Sequence, residues 1–397
     1  MTPGQVFTPI RNVELLQVRH FGRCQAGQKI FVAALTRATM SGKSRHTTNR
    51  RDPSTKIQRG DAMLKRALST FAFVAALSFA SSAACVWLLA ISTLAQAQDY
   101  PSRAVTIISD SAAGSTPDAV LRVIADRLGQ IWGQQVLAVN HPGATGSIAS
   151  RIAADAPADG YTLYMPVLST FVSLPGAAPN LPIRLPRDFS PIGFAGENPM
   201  FIVVNPSLGI TTLSDLIARA KARPGEVSCA VTGIGRLTHL TAELLQSRAG
   251  IELLIVPYTG GPAQAIGDVV SGRVACMIEG YSAIAGAVES GSVKAIAVAS
   301  EKPLAEFPNL PAVADMIPGF SATGWQVLVA PIGTPESIIK KASKDLRSVV
   351  TDPDLQRKIA ARGSYTRAMS PAEVISFVVE EQRKWKPVME LIAQKTQ

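Results

Sequence analysis

The sequence has few histidines and cysteines, and its larger part has no net charge. Only 4 His and 4 Cys occur in 397 residues, and two of each, His141, His239, Cys229 and Cys276, lie after residue 97. Dispersed in this way they have no metal-ligand spacing, so we expect no metal. Residues 98–397 keep 26 basic and 26 acidic side chains, because 13 of the 39 basic and 3 of the 29 acidic ones precede them. A neutral body lacks the electrostatic footprint of nucleic-acid binding, and we expect no nucleic-acid partner.

Catalytic motifs are scarce as well. The sequence contains no G-x-S-x-G, so hydrolysis by a nucleophilic serine has no support. Gly233-x-Gly235 follows a predicted strand, but Thr238 stands where a dinucleotide fingerprint needs its third glycine. A secreted α/β enzyme is therefore the least favoured interpretation, and we expect no cofactor and no catalytic residue. His239, at the start of a predicted helix, is expected to be structural.

The first 97 residues differ from the rest. Residues 1–62 show no sustained apolar periodicity and are expected to be a non-structural extension, with Met63 as a possible translation start. Lys65-Arg66 precede an uncharged apolar run that closes with Ala95-Gln96-Ala97, which predicts a signal peptide over residues 63–97. An uncleaved membrane anchor is the alternative, because the run is long enough to cross a bilayer. We expect cleavage after Ala97 and a periplasmic mature chain.

Export would place the mature chain in an oxidising compartment. Its two cysteines, Cys229 and Cys276, could then pair, but the sequence alone leaves open whether they do. Residues 98–397 are rich in Ala, Val, Leu and Ile and long enough for a large core, which favours two domains over one.

Short β-branched segments alternate with amphipathic segments from Val105 onward. This alternation predicts an α/β fold with mostly parallel sheets flanked by helices. The predicted strands are 105–108, 135–139, 162–165, 201–204, 227–231, 253–256, 274–278 and 295–299. The predicted helices are 117–131, 213–222, 238–248, 263–271 and three that open on proline, 335–350, 353–362 and 371–392. The first helix is expected to bury Val120, Leu121, Ile124, Leu128 and Ile131.

Four predicted strands end in turns of small residues that lead toward a helix. These turns are residues 111–118, 140–147, 232–239 and 258–262. Such turns let an anion approach the free N–H groups of a helix N-terminus. A single turn of this kind more often just needs glycine, whereas four in one chain favour an anion site. In the loop of residues 111–118, Thr116 is expected to cap the helix that follows. Pro117 and Asp118 would lie in the first turn of that helix.

Several longer motifs point to one family. They are Tyr100-Pro101-Ser102-Arg103, Asn140-x-Pro142-Gly143-Ala144-x-Gly146, Ala158-Asp159-Gly160-Tyr161-Thr162-Leu163, Arg187-Asp188-Phe189-x-Pro191-Ile192, Val204-Asn205-Pro206-Ser207-Leu208, Val256-Pro257-Tyr258-x-Gly260, Phe307-Pro308-x-Leu310-Pro311 and Ala330-Pro331-x-Gly333-Thr334-Pro335. In order and spacing they resemble the Bug family, the extracytoplasmic solute receptors of tripartite tricarboxylate transporters. The resemblance implies a two-lobe, Venus-flytrap type II periplasmic-binding-protein fold, with lobe one at 98–203 and 321–397 and lobe two at 204–320.

The resemblance also implies a function. The chain would be a periplasmic receptor, and not an enzyme, that binds a small organic carboxylate and delivers it to membrane transporter subunits. We expect it to be a monomer. A receptor that signals to a membrane partner is the alternative, which the sequence does not separate from transport.

The family's pattern, carried over position by position, implies a set of ligand-binding residues. The first loop would contribute Ser111, Gly114, Ser115, Thr116 and Asp118, and lobe two would contribute Thr232, Gly233, Gly235, Thr238 and Glu279. Arg236 is expected to join them, and Ser169 and Thr170 complete the predicted site.

Four residues depart from the family pattern. Asp110-Ser111 replaces the usual Pro-Phe, which adds a negative charge that we expect near the cleft mouth. Arg236 stands where a small residue is common, and is either a partner for a second ligand carboxylate or a solvated side chain on a turn. Glu279 replaces the usual Asp, and its longer reach predicts altered ligand selectivity.

Overall fold

The computed structural model describes residues 100–172, 181 and 183–395. The predicted extension and signal peptide, residues 1–97, lie outside these ranges. The strands described are β1 (Val105–Ser109), β2 (Val136–Asn140), β3 (Thr162–Met165), β4 (Phe189–Val204), β5 (Ser228–Val231), β6 (Leu254–Pro257), β7 (Cys276–Gly280), β8 (Lys294–Val298) and β9 (Thr323–Pro331). The helices are α1 (Thr116–Trp132), α2 (Ser147–Ala154), α3 (Leu168–Val172), α4 (Leu213–Ala222), α5 (Leu237–Ala249), α6 (Pro262–Val270), α7 (Tyr281–Glu289), α8 (Val313–Met316), α9 (Glu336–Val350), α10 (Pro353–Ala360) and α11 (Pro371–Lys395).

The strands pair in the order β2-β1-β3-β9-β4-β7-β5-β6, with β8 also on β4. The outer pairs β1–β2, β1–β3, β5–β6 and β5–β7 are parallel, as the alternation of strands and helices predicts. The pairs that involve β4 or β9 are antiparallel, which the sequence did not predict. The two-lobe α/β fold is therefore confirmed, with a mixed sheet around its centre.

Strand β4 joins the two halves of the sheet. Its residues Phe189–Pro199 pair with β9, and its last residues, up to Val204, pair with β7 and β8. Only its end, 201–204, was predicted as a strand, because prolines and glycines such as Pro191 and Gly193 interrupt the β pattern. The register shifts at these residues, as is typical of bulges. The predicted lobe boundaries lie near the end of β4 and the start of β9, and they stay a prediction.

Helix α1 packs against the sheet by the face that its periodicity predicts, with one exception. Leu121, Ile124 and Leu128 are buried, but Ile131 is 49% exposed. Trp132 is buried in its place, and its Nε1 donates to Asp345 at 2.8 Å. The indole both fills the core and satisfies its polar atom, so it anchors the end of the helix better than the isoleucine.

Two other sequence expectations have clear outcomes. Cys229 and Cys276 face each other in the register of β5 and β7, with Cα atoms 4.5 Å apart, and form a disulfide. Of the three helices predicted to open on proline, α10 and α11 do so, whereas Pro335 is the N-cap of α9. Within the described ranges, no helix has the length and apolarity that crossing a bilayer requires.

Candidate ligand-binding site

A cavity of about 330 Å³ lies at the centre of the fold, and all four predicted turns border it. The β1–α1 turn (residues 110–115) and the β5–α5 turn (residues 232–236) approach it from the two halves of the sheet. Both lead into helices that no side chain caps, with Ser115 and Arg236 at the N-cap positions. Uncapped first-turn N–H groups favour an anion near each helix start.

Eight of the thirteen predicted ligand-binding residues line this cavity. They are Ser111, Ser115, Ser169, Thr232, Gly233, Arg236, Thr238 and Glu279. The other five, Gly114, Thr116, Asp118, Thr170 and Gly235, are not part of the cavity wall, and the structure gives each of them a structural contact, described below. That the eight lining residues bind a ligand stays a prediction.

Thr116 is not the helix cap that the sequence predicted, and its predicted contact with a ligand stays a prediction. It is the first residue of α1 and not its cap, and it is fully buried. Its Oγ1 has no hydrogen-bond partner among the described residues, and a Cβ at Gly280 would overlap it. Thr116 therefore packs α1 against the start of α7, where only glycine leaves room.

Asp118 holds the β1–α1 turn from behind. Its carboxylate accepts from Gly114 N at 2.9 Å, from Arg122 Nε at 3.0 Å and from Asn140 Nδ2 at 2.9 Å. The N–H of Gly114 and the carboxylate of Asp118 therefore have hydrogen-bond partners within the protein and need none from a ligand. Asp118 thus fixes the shape of the turn and keeps its charge away from the cavity.

Asp110 is fully buried, and not a charge at the cleft mouth as the sequence suggested. Its carboxylate accepts from the hydroxyl of Thr170, from Tyr164 Oη at 3.2 Å and from Ser111 Oγ at 3.4 Å. Burial, together with the neighbouring Asp110, raises the pKa of Tyr164 well above its usual range, so the phenol stays a donor. Asp110 was missed as a central residue, although an acid directly after a buried strand at its carboxyl end was a usable signal.

Arg236 crosses from the β5–α5 turn to the β1–α1 side of the cavity. Its guanidinium donates to the backbone oxygen of Asp110 and, at 3.3 Å, to Ser169 Oγ. Its Nη1 lies 3.9 Å from Asp110 Oδ1, and its side chain is only 18% exposed. Of the two interpretations of Arg236, the solvated side chain is therefore wrong.

Glu279 is the last residue but one of β7, lines the cavity beside the β5–α5 turn and is buried. Its Oε2 accepts from Thr232 Oγ1 at 3.0 Å and its Oε1 from Gly280 N at 2.9 Å. Burial raises the pKa of this carboxyl, while the two hydrogen bonds and the charge of Arg236 oppose the rise. Thr238 Oγ1 accepts from Thr232 N at 3.0 Å, so the same small network shapes the β5–α5 turn.

His239 supports the β5–α5 turn without lining the cavity. Its Nδ1 accepts from Gly235 N at 3.3 Å, and its Nε2 lies 3.7 Å from Glu243 Oε1. Burial lowers the pKa of the imidazole, which favours the neutral form that can accept this bond. The contacts agree with a structural role for His239. No cluster of three possible metal ligands occurs in the part of the chain that the structure describes.

The crossing strands contribute cavity residues that the sequence did not predict. Asn198 and Met200 come from β4, and Gly324 and Trp325 from β9. Asn198 is buried, and its Oδ1 has no donor among the described residues. Leu168, Ile234 and Leu237 add to a wall that is largely apolar. The arrangement suits a small molecule with an apolar body and few polar groups.

Comparison with known proteins gives consistent results. Residues 120–393 match the model of the tripartite tricarboxylate transporter family receptor. The protein BugT of Bordetella pertussis is 33% identical over 296 residues, which cover 74% of this chain and 90% of BugT. An R. palustris protein solved with adipate has a TM-score of 0.68 and 28% identity, covering 74% of this chain and 98% of that one. MatC from Rhodopseudomonas palustris with bound malate has a TM-score of 0.66 and 26% identity, covering 73% of this chain and all of its own.

Proposed function

We propose, from the premise that this chain belongs to the tripartite tricarboxylate transporter receptor family, that it captures a small organic carboxylate in the periplasm and delivers it to membrane transporter subunits. The family consists of solute receptors, and the chain is a binding protein and not an enzyme. Export by cleavage after Ala97 is part of the proposal.

The observation that carries the proposal is the meeting of a cation and two uncapped helix starts at one cavity. Arg236 and the N-termini of α1 and α5 border the same space. A carboxylate there would receive charge-assisted hydrogen bonds, which are the stronger kind. The relatives solved with adipate and with malate support the same ligand class.

The test is a thermal-shift screen of protein purified from the periplasmic fraction. A ligand that binds only the folded state raises the melting temperature with its concentration. We expect a shift with at least one small carboxylate and none with its amide or methyl ester, which lack the charge. Because Trp325 lines the cavity, its fluorescence should change over the same concentration range. Equal shifts with an acid and its neutral amide would contradict carboxylate recognition.

Two further measurements complete the test: chemical analysis of the ligand after binding, and N-terminal sequencing of the exported protein. The bound carboxylate should be recovered chemically unchanged after incubation, and turnover would contradict a receptor. N-terminal sequencing should begin at Gln98. A periplasmic chain that retains Met63 would contradict the proposed cleavage.

A further inference from the structure

The buried carboxylates at the cavity outnumber the cations. Among the described residues of its wall, the ionisable side chains are Arg236 and Glu279. Arg236 already has a second carboxylate beside it, because Asp110 Oδ1 lies 3.9 Å from Nη1 and Asp110 is fully buried. One cation therefore faces two buried carboxylates before any ligand enters.

This balance disfavours a ligand with two carboxylates. Asp110 and Glu279 are buried, so water screens their charges only weakly, and each negative charge needs a positive charge nearby. Arg236 and the helix N-termini can match one incoming carboxylate. A second one would lie in the same small space as Glu279 without a further cation in the wall.

Two other residues of the cavity wall, Glu279 and Asn198, have acceptors that the described residues do not fully use. A carboxylate has room for about four hydrogen bonds. Glu279 accepts from two protein donors in the described residues, Gly280 N and Thr232 Oγ1, and it still lines the cavity. Asn198, also in the wall, has a buried Oδ1 without a donor in the described part of the chain. Acceptors that lack donors are matched by a ligand group that donates.

We propose that the ligand is a zwitterion, with one carboxylate bound at Arg236 and the helix N-termini and one protonated amine bound at Glu279. This inference rests on the proposed carboxylate function and narrows it to aminocarboxylates. Asn198 would accept a further proton of the amine. The apolar wall around Leu168 and Trp325 would contact the carbon chain between the two charged groups.

Compounds that differ only in the second polar group test the proposal. Calorimetric titration would compare hexanoate, adipate, ε-aminohexanoate and α-aminohexanoate, and then butanoate, succinate and γ-aminobutanoate. We expect at least one aminocarboxylate to bind the natural protein roughly tenfold or more tightly than the dicarboxylate and the monocarboxylate of the same length, as expected when a charge-assisted hydrogen bond is present in one ligand only.

The variant Glu279→Gln removes the negative charge while keeping the side chain's size. It should lose most of the preference for the aminocarboxylate and bind the dicarboxylate more tightly than the natural protein does. Glu289→Gln is the matched control, because Glu289 is an exposed residue at the end of the helix that follows β7. Glu279→Asp retains the charge and should retain a preference for aminocarboxylates, with the best chain length shifted because the Asp side chain is shorter.

The possible outcomes separate the inference from the function on which it rests. A dicarboxylate that binds most tightly, or a monocarboxylate that equals the aminocarboxylate, would overturn the zwitterion and leave the carboxylate receptor standing. Binding of hexylamine as tightly as the aminocarboxylate would overturn carboxylate recognition itself. If no compound of either series binds, both proposals fall. The natural protein alone gives these results, so they do not depend on the variants folding.

Discussion

The β1–α1 turn and the β5–α5 turn both follow a buried strand, contain glycine and lead into a helix without a side-chain cap. They use charge in different ways. The β1–α1 turn has Asp110 and Asp118 bonded behind it and presents Ser111 and Ser115 to the cavity. The β5–α5 turn presents Arg236 directly, beside Glu279 of the neighbouring strand.

We infer from this difference that a turn of one design can either shape a binding site or select its ligand. Carboxylates that accept several protein hydrogen bonds fix the backbone of the β1–α1 turn, so its contribution is shape. The guanidinium of Arg236 lines the cavity and can exchange or share partners with a ligand, so we expect the β5–α5 turn to contribute selectivity. Substitutions on the two sides should therefore separate stability from affinity.

The largest effect is expected from Asp110→Ala. Removing this buried carboxylate leaves the hydroxyls of Tyr164 and Thr170 without their acceptor and Arg236 without its charge partner. Breaking a buried charged network typically costs about 3–5 kcal/mol of unfolding free energy. Denaturant unfolding of the variant and of the natural protein measures this loss of unfolding free energy. Asp126→Ala, at an exposed position of α1, is the control and should change stability by less than about 0.5 kcal/mol.

A loss for Asp110→Ala as small as that of its control would show that the network adds little to the fold. The buried carboxylates would then not be what fixes the shape of the β1–α1 turn. Asp110→Asn would distinguish charge from shape, since the amide oxygen still accepts from Tyr164.

The next effect is on affinity and comes from Arg236→Ala. Hydrogen bonds to charged groups contribute about 1.5–3 kcal/mol, so binding of the carboxylate found in the screen should weaken roughly tenfold to a hundredfold. Arg248→Ala is the matched control, because Arg248 lies in the last turn of the same helix and donates to Pro318 O instead. Calorimetric titration measures the affinity, and melting curves measure the stability, so the two effects can be separated. Unchanged affinity in a folded Arg236→Ala protein would remove the guanidinium from ligand recognition.

The sequence predicted the outer parts of the fold better than its centre. Strands such as Thr162–Met165 and helices such as Leu213–Ala222 were predicted to the residue, because their apolar spacing is regular. The first part of β4 and all of β9 were missed, since proline and glycine disrupt the pattern in β4 and antiparallel pairing between distant segments leaves no local signal.

The candidate site divides in the same way. Residues in the small-residue turns, such as Ser115 and Thr232, were predicted from the family resemblance, after the turn composition had pointed to an anion site at these helix starts. Asn198 and Trp325 were missed because they come from the two crossing strands. The sequence also did not predict the direction of some side chains. Thr116 and Asp118 follow the predicted strand as expected, but their side chains face the protein interior. Sequence spacing does not fix that direction at a helix start.

A smaller effect is expected from Asp118→Asn. The amide retains one acceptor but loses the charged contact with Arg122 Nε, which is 3.0 Å away. Stability should fall by about 1 kcal/mol, because the Arg122 contact is partly exposed and a hydrogen bond of this kind contributes little more. Affinity should stay unchanged in titration, since the carboxylate does not line the cavity. A tenfold change in affinity without loss of stability would place Asp118 among the ligand contacts after all. Asp126→Asn, on the exposed face of α1, is the control.

The smallest effect is expected from Thr116→Val, and it tests the comparison most directly. The hydroxyl of Thr116 is buried without a partner in the described structure, and valine has nearly the same shape. Replacing an unpaired buried hydroxyl by a methyl group removes a desolvation penalty, so unfolding free energy should stay the same or rise by up to about 1 kcal/mol. Affinity should not change, because the β1–α1 turn presents its ligand contacts through other residues. If Thr116→Val instead weakens binding tenfold while Ser115→Ala does not, the Thr116 hydroxyl reaches the ligand when it binds. The β1–α1 turn would then help to choose the ligand as the β5–α5 turn does.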